Sequence, residues 1–470
     1  MNRHQLSFYV LTAYLLLAPV DPSHGAPTTP PTEDDQQAQL YNAEDDELTF
    51  DRPRETHGFN CGAYKVVHAD FDQDGHLDLA VSYNQSDAIA ILKGDGKFGF
   101  TLSGVSHHPT DPVGNACNLT AGDIDGDGFP DLAVALHERP TIDTSDKSYS
   151  VEELRPHFRG RIQIFRNVAG TMIPARRYQT PSSGQGVALV DLDNDGLLDL
   201  VYTARGVGYI RGDLKDGRFM IRKGYGNFKF GPPKIAKAGW SAYYAETVDV
   251  NGDGYLDIFA PNERAPTVTY LLNPGVNIFQ PESPLVPRKI NVQLDAHPNR
   301  LELNQRKGSH FNANNVRIAD FTGDDKPDAL IVWMDQSALQ LQRGNGDGTF
   351  VPHSILQAGP DAAFLGLGDF DHDGDMDFVV THWQQDFVSV GLNDATGHFS
   401  LTQYPAGNGS YGVTVADFDQ DGHLDFISAN YRHQSMNIYQ GNGDGTFLGQ
   451  SVLPGSLRLH GGEWSLHNAE

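Results

Sequence analysis

Basic residues are scarce in this chain. Its 470 residues include 34 Lys and Arg against 61 Asp and Glu, a formal net charge of −27. A nucleic-acid binder needs a basic footprint to displace counterions from phosphates, so the balance argues against that class and no nucleic-acid partner is expected. The same deficit argues against docking on an anionic membrane surface. There are only 2 cysteines, Cys61 and Cys117, which allow at most one internal bridge. After residue 20 no apolar run is long enough to span a bilayer, which takes about 20 residues in a helix. Gly-x-Ser-x-Gly, a zinc-spaced histidine cluster and a phosphate-binding loop are all missing. What is abundant is glycine, 50 residues, with 39% hydrophobic and 10% aromatic residues. That is enough for a core, with many turns and little helix.

The ends read differently from the middle. Residues 1–25 have the form of a secretory signal: Arg3, an uncharged apolar run over 6–20, then Ser23 and Gly25 before Ala26. The alternative, an uncleaved anchor, has too short an apolar run. Residues 26–47, rich in Pro, Thr, Gln and acids, cannot bury much and read as a disordered leader. Residues 456–470 read as a C-terminal tail. A secreted chain, extracellular or periplasmic, meets oxidising conditions. There a Cys61–Cys117 disulfide is expected, the alternative being two unrelated buried thiols.

One pattern organises the rest: Asp-x-Asp/Asn-x-Asp-Gly-x-x-Asp, seven times. It reads DFDQDGHLD at 70–78, DIDGDGFPD at 123–131, DLDNDGLLD at 191–199 and DVNGDGYLD at 249–257. It continues as DFTGDDKPD at 320–328, DFDHDGDMD at 369–377 and DFDQDGHLD at 417–425. Successive starts lie 48 to 71 residues apart, a spacing suited to propeller blades. Short β-branched and aromatic runs flank each copy, such as YKVVHA before and LDLAVSY after the first. A third run follows, then a Gly/Asn/Asp turn such as GDGKF or GNGDGTF, then a weaker fourth run. Seven four-stranded units predict an all-β, seven-bladed β-propeller over 48–455, in preference to a linear β-solenoid. Arg211-Gly212-Asp213 reads as a hairpin turn, by alignment of GYIRGDLKDGRF with AILKGDGKF, rather than as an adhesion motif.

The spacing of the acids suits a hard cation. Ca²⁺ takes six to eight oxygen ligands, and alternating side chains at positions 1, 3 and 5 can converge on one ion. Glycine at position 6 permits the turn, and the Asp at position 9 closes the shell. The expected ligands are Asp70, Asp72, Asp74 and Asp78; Asp123, Asp125, Asp127 and Asp131; Asp191, Asp193, Asp195 and Asp199. They continue with Asp249, Asn251, Asp253 and Asp257; Asp320, Asp324 and Asp328; Asp369, Asp371, Asp373 and Asp377; and Asp417, Asp419, Asp421 and Asp425. That makes six or seven Ca²⁺ sites, the fifth loop being the weak one, with Thr322, Asp325 and Lys326 breaking its pattern. An EF-hand is excluded, because position 12 is never Glu and the flanks are strands. Zn²⁺ is disfavoured by all-oxygen ligands.

The seven loops and GNGDGTF resemble the FG-GAP/VCBS-type repeat family, whose propellers are similar to the head of integrin α subunits. The resemblance covers about residues 48–455. It implies a secreted or surface propeller with Ca²⁺ on the loop carboxylates named above. It does not imply one activity.

Strand direction separates two faces. The acidic loop joins strands A and B of a blade, so the B–C and D–A connections lie on the opposite face. Two long insertions, 137–160 and 280–312, belong there. So do Tyr83, Arg205, Arg264, Trp333, His382, Trp383, Tyr431, Arg432 and His433 near B–C turns. Tyr64, Trp240, Tyr243, Tyr244 and Tyr411 start A strands on the same side. Aromatics stack on sugars, and Arg and His pair with carboxylates or sulfates. The expectation is a monomeric, non-enzymatic binding or adhesion module for an extracellular glycan or protein, anionic in character. The alternative is a carbohydrate-active lyase using His382, His433, Tyr431, Arg264 and Arg432. A third reading is a plain structural spacer.

Overall fold

The computed structural model describes residues 61–83, 88–107, 114–138, 160–206, 217–291, 313–334, 337–460 and 463–467. The expected signal, the leader, most of both insertions and Arg211-Gly212-Asp213 lie outside the described residues. The chain forms seven antiparallel sheets, each built on four consecutive strands. They make a seven-bladed β-propeller, with blades over 61–107, 114–180, 184–237, 246–291, 313–356, 362–405 and 410–454. No α-helix occurs among the described residues.

Burial follows strand rank. The second strands Asp78–Tyr83, Asp199–Ala204, Asp328–Trp333, Asp377–His382 and Asp425–Asn430 are buried at every residue. Each is covered on both faces, which is why these runs read as apolar without alternation. The outer strands Phe350–Leu356 and Phe399–Pro405 are largely exposed, which is why the fourth run reads weakest.

Seven hydrophobic clusters hold the ring, one at each blade interface. The apolar residue at loop position 2 enters the cluster shared with the next blade. Phe71 packs with blade 2, Ile124 with blade 3, Leu192 with blade 4 and Val250 with blade 5. Phe321, Phe370 and Phe418 do the same for blades 6, 7 and 1. The loop therefore anchors a neighbour as well as its own blade.

Two sequence expectations are corrected. In blade 3 the third strand is Arg218–Arg222, paired with Asp199–Ala204, so GYIRGDLKDGRF is not the counterpart of AILKGDGKF. The matching turn is at 224–229, where the Gly224 N–H reaches Asp199 as the Gly94 N–H reaches Asp78. In blade 4 the fourth strand is Pro287–Asn291, inside the expected insertion. The weak outer-strand signal hid it.

The four strands of every blade are contiguous in sequence, and the ring is closed by backbone and side chains together, with the Ala63 N–H donating to the Gly455 carbonyl at 2.9 Å. On the side-chain level closure rests on the cluster between blades 7 and 1. His68 Nδ1 lies 2.6 Å from Thr414 Oγ1, and Gln420 donates to the Gly75 carbonyl at 2.5 Å. The segment read as a tail adds Ser456–His460 and Glu463–His467, a hairpin pairing with the start of Cys61–Ala69.

Phe418 is 2% exposed at this closing interface, edge-on to Phe100 and His68. Phe418→Ala should cost about 3–5 kcal/mol, read as a lower urea midpoint. A loss below about 1 kcal/mol would mean that closure does not depend on this contact.

Candidate metal loops and the two faces

The acidic loops are one structure repeated seven times. Position 4 has a left-handed backbone throughout: Gln73, Asn194, His372 and Gln420 have φ of 57° to 62°, and glycine stands in the other three. At position 6, glycine has φ between 85° and 93° in six loops, and Asp325 takes 61° in the fifth. The position-1 carboxylate accepts the position-6 N–H in every loop, at 2.7–3.1 Å. The position-5 carboxylate accepts the position-7 N–H in every loop, at 2.9–3.2 Å.

Position 9 does something the sequence did not announce. Asp78, Asp131, Asp199, Asp257, Asp328, Asp377 and Asp425 are all 0–1% exposed. One oxygen of each accepts the position-2 N–H of its own loop, at 2.8–3.1 Å. The other accepts an N–H at the end of the third strand, at 2.7–2.8 Å. This Asp is a staple from loop to sheet, and its oxygens retain a second lone pair for a cation except at Asp328 Oδ2, which also accepts the Thr322 N–H at 2.9 Å.

Five loops bring three carboxylate oxygens within 4.8 Å of one another: loops 1, 2, 3, 6 and 7. The other two are those with Asn251 or Thr322 at position 3. Asp72 Oδ1, Asp193 Oδ1, Asp369 Oδ1 and Asp419 Oδ1 are buried with no hydrogen-bond partner. A buried carboxylate oxygen without a partner carries a desolvation cost that a cation would offset. These loops fit a metal ion, and several of them could hold one.

The blades differ in how far their own cations serve that need. The side chain just before the third-strand N–H decides it. Lys93 reaches Asp72 and Asp74 in blade 1, and Arg166 reaches Asp125 and Asp127 in blade 2. Lys223 reaches Asp193 and Asp195 in blade 3, and Arg343 reaches Asp324 in blade 5. The bond to Lys93 holds Asp74 below the usual carboxylate range. Blades 4 and 6 have Leu272 and Leu392 there, and blade 7 has Gln440, whose amide reaches Asp419. Burial, and then the neighbouring Asp373, raise Asp371 and Asp375; burial and Asp421 raise Asp419. Loops 6 and 7 are the ones most in need of an external cation.

The FG-GAP-like repeat model matches residues 70–134, 320–380 and 369–428, each span beginning on the first Asp of a loop. The chain carries FG-GAP-like repeats. No curated protein matches it in sequence. Among solved structures, the FG-GAP-like propeller is similar to the periplasmic gluconolactonase of Pseudomonas aeruginosa, at 13% identity and TM-score 0.52, covering 87% of this chain and 100% of that one. A protein from Lactobacillus plantarum is similar at 12% identity and TM-score 0.52, over 84% and 98% of the two chains. An Agrocybe aegerita lectin that recognises terminal N-acetylglucosamine gives 15% identity and TM-score 0.49, over 83% and 93%. At these identities the likeness is one of fold.

On the face opposite the loops, the FG-GAP-like propeller buries most of the residues picked out as ligand candidates. Tyr83, Trp333 and His382 are fully buried in second strands. His382 lies 2.7 Å from the Pro360 carbonyl and 3.0 Å from Ser389 Oγ, and burial lowers its pKa to about 4. Arg205 is buried and paired with Glu263, its guanidinium 5.0 Å from the Tyr243 ring. Tyr64, Tyr243, Tyr244, Tyr411 and Phe364 are buried together and plug the channel on that side. The hydroxyls of Tyr243 and Tyr411 are 2.8 Å apart, and Tyr64 stacks on Tyr411 at 4.4 Å. Trp240 and Arg264 are half-buried. Cys117 is buried, and the side chain of Cys61 lies outside the described ones.

Half-buried Trp383 and Tyr431 form one patch with exposed Arg432 and His433. Trp383 and Tyr431, from the B–C turns of blades 6 and 7, stack at 5.4 Å. The Arg432 guanidinium sits 5.3 Å from the Trp383 ring, and Arg432 and His433 are exposed. The 406–409 segment clasps this turn: Tyr431 N–H donates to Gly409 and His433 N–H to Asn408, both at 2.9 Å.

The staple carboxylates set the pH response of the metal-free protein. Burial raises Asp131, Asp199, Asp377 and Asp425 to about 7 and Asp257 to about 6. Their stabilisation is complete below the ordinary carboxylate range and is lost as pH rises through about 7. In excess EDTA the melting temperature should therefore be higher at about pH 5.5 than at about pH 8. An equal or reversed order would show that these acids ionise freely in the fold.

Proposed function

We propose that this protein is a secreted, monomeric, calcium-loaded propeller that binds an anionic extracellular ligand, an acidic glycan or an acidic protein surface. Arg432 carries the reading. It is an exposed guanidinium held against Trp383, beside exposed His433, on the face away from the acidic loops. The indole is stacked by Tyr431 and approached by Arg432, so the patch offers charge on an aromatic base more than a bare ring. A guanidinium fixed in this way suits a carboxylate or sulfate group.

The binding reading is favoured over a lyase by the position of His382. A general base must reach its substrate proton, and His382 is fully buried with both ring nitrogens engaged. Calcium suits the loops because their donors are carboxylates, hard oxygens whose number matches that ion. It would be held by the loop carboxylates, and it would neutralise charge that the chain cannot neutralise itself in loops 6 and 7.

Two measurements test this. Binding to an array of acidic and neutral glycans should favour uronate- or sulfate-bearing members. Arg432→Gln should lower retention by about tenfold without changing the melt, since the side chain is exposed. Equal retention by the variant would sink the ligand site, and release of an unsaturated product would replace binding with lyase activity. For the metal, native mass spectrometry in calcium should count five to seven ions. Lys223→Met should tighten calcium binding in loop 3 by roughly tenfold, because it removes a competing charge. No change there would mean that Lys223 does not occupy the metal's place.

A further inference from the structure

The channel side of the structure holds a second feature, independent of the opposite-face patch. All seven first strands line a cavity of about 480 Å³ on the acidic-loop side of the tyrosine plug. The first strands grow more exposed toward the loops: Glu246–Val248 is half-buried throughout, while Tyr244 is buried. The chamber is thus closed at the aromatic end and opens among the loops.

Its charges are unusual for so acidic a chain. Arg317 and Glu246 face each other as an ion pair. Arg317 also donates to the Leu365 carbonyl at 3.2 Å. Lys65 is only 7% exposed, and its ammonium lies 4.3 Å from the centre of the Phe364 ring. No carboxylate or carbonyl among the described residues accepts from it. Glu246 pairs with Arg317 and also acts on Lys65 through space, so the three groups together carry one excess positive charge whenever Lys65 is protonated. Thr120, Thr247 and Asn118 add polar groups to the lining.

We propose that this chamber is a binding site for a small hydroxylated carboxylate, with Lys65 as the cation that receives the carboxylate. A buried lysine that faces aromatic rings, with no hydrogen-bond acceptor, is costly unless something pairs with it. Burial and the nearby Arg317 push its pKa down to about 7, a cost that a bound carboxylate would relieve. The cavity lies in the size range of small-molecule sites, and its hydroxyl and amide groups suit a polyol chain or ring. Phe364 and Tyr244 would form its floor.

Isothermal titration with D-glucuronate, D-gluconate and citrate tests it, with D-glucose as the uncharged control. At least one of the carboxylates should bind and glucose should not. Lys65→Met keeps the aliphatic contact with Phe364; it should lose that binding by at least about tenfold, one charged hydrogen bond's worth. The same variant should melt no lower than the wild type without ligand, because it removes an unpaired buried charge. In the wild type, reductive ¹³C-methylation should give a Lys65 resonance that shifts on adding the carboxylate that binds. Failure of all three carboxylates to bind, equal binding by Lys65→Met, or an unmoved Lys65 resonance would overturn the proposal. Glycan-array results on the opposite face bear on neither outcome.

Discussion

A buried aspartate at the ninth position of each loop is the constraint on which the rest depends. Its two oxygens take one N–H from the loop and one from the third strand, in all seven blades. This fixes the angle between loop and sheet, and so where the first three carboxylates point. It also sets a difficulty. Seven buried carboxylates cannot all ionise without a counter-charge, and burial alone lifts several of them toward neutrality. The loop acids, the third-strand cations and the demand for an external cation all follow from that one placement.

The same loops build the ring. The residue after the first aspartate enters the neighbouring blade's core, so the acidic loop and the blade interface are one mechanical unit. Side chains deepen the link in alternate blades. Asn167, Asn273 and Asn393 each donate to the position-2 carbonyl of the preceding blade, at 2.7–3.0 Å. Loss of order in one loop would therefore reach its neighbour's packing. At the closure these side-chain contacts act together with backbone pairing, because Ser456–His460 pairs with the start of Cys61–Ala69.

The two ends of the channel are chemically opposed. One is sealed by buried tyrosines, among which the hydroxyls of Tyr64, Tyr243 and Tyr411 are linked, and their rings lie beneath the Trp383–Tyr431 patch. The other is a polar chamber with a lone ammonium, ringed by acidic loops. Much of the chain's negative charge belongs to that ring: 28 of the 61 acids lie in the seven loops. The net charge therefore describes the repeated acidic loops more than it describes a ligand.

Much of this was legible in the residues alone. The repeat, its period and its turn signals determined blade count and strand order, because local spacing and propensity are properties of contiguous chain. The loop carboxylates were legible for the same reason. Three things were not. The outer strand Pro287–Asn291 was hidden because an exposed edge strand has little hydrophobic signature. The double role of the ninth aspartate was hidden because its second partner lies 16 or more residues away, at a distance set by sheet pairing. The ligand candidates were sorted only by burial: Tyr83, Trp333 and His382 look like Trp383 and Tyr431 in sequence, yet the former are interior and the latter reach the surface. Sequence by itself determined what each blade is. Only the closed ring decided which side chains meet across it, because Lys65, Glu246, Arg317 and Phe364 come from four different blades and share one chamber.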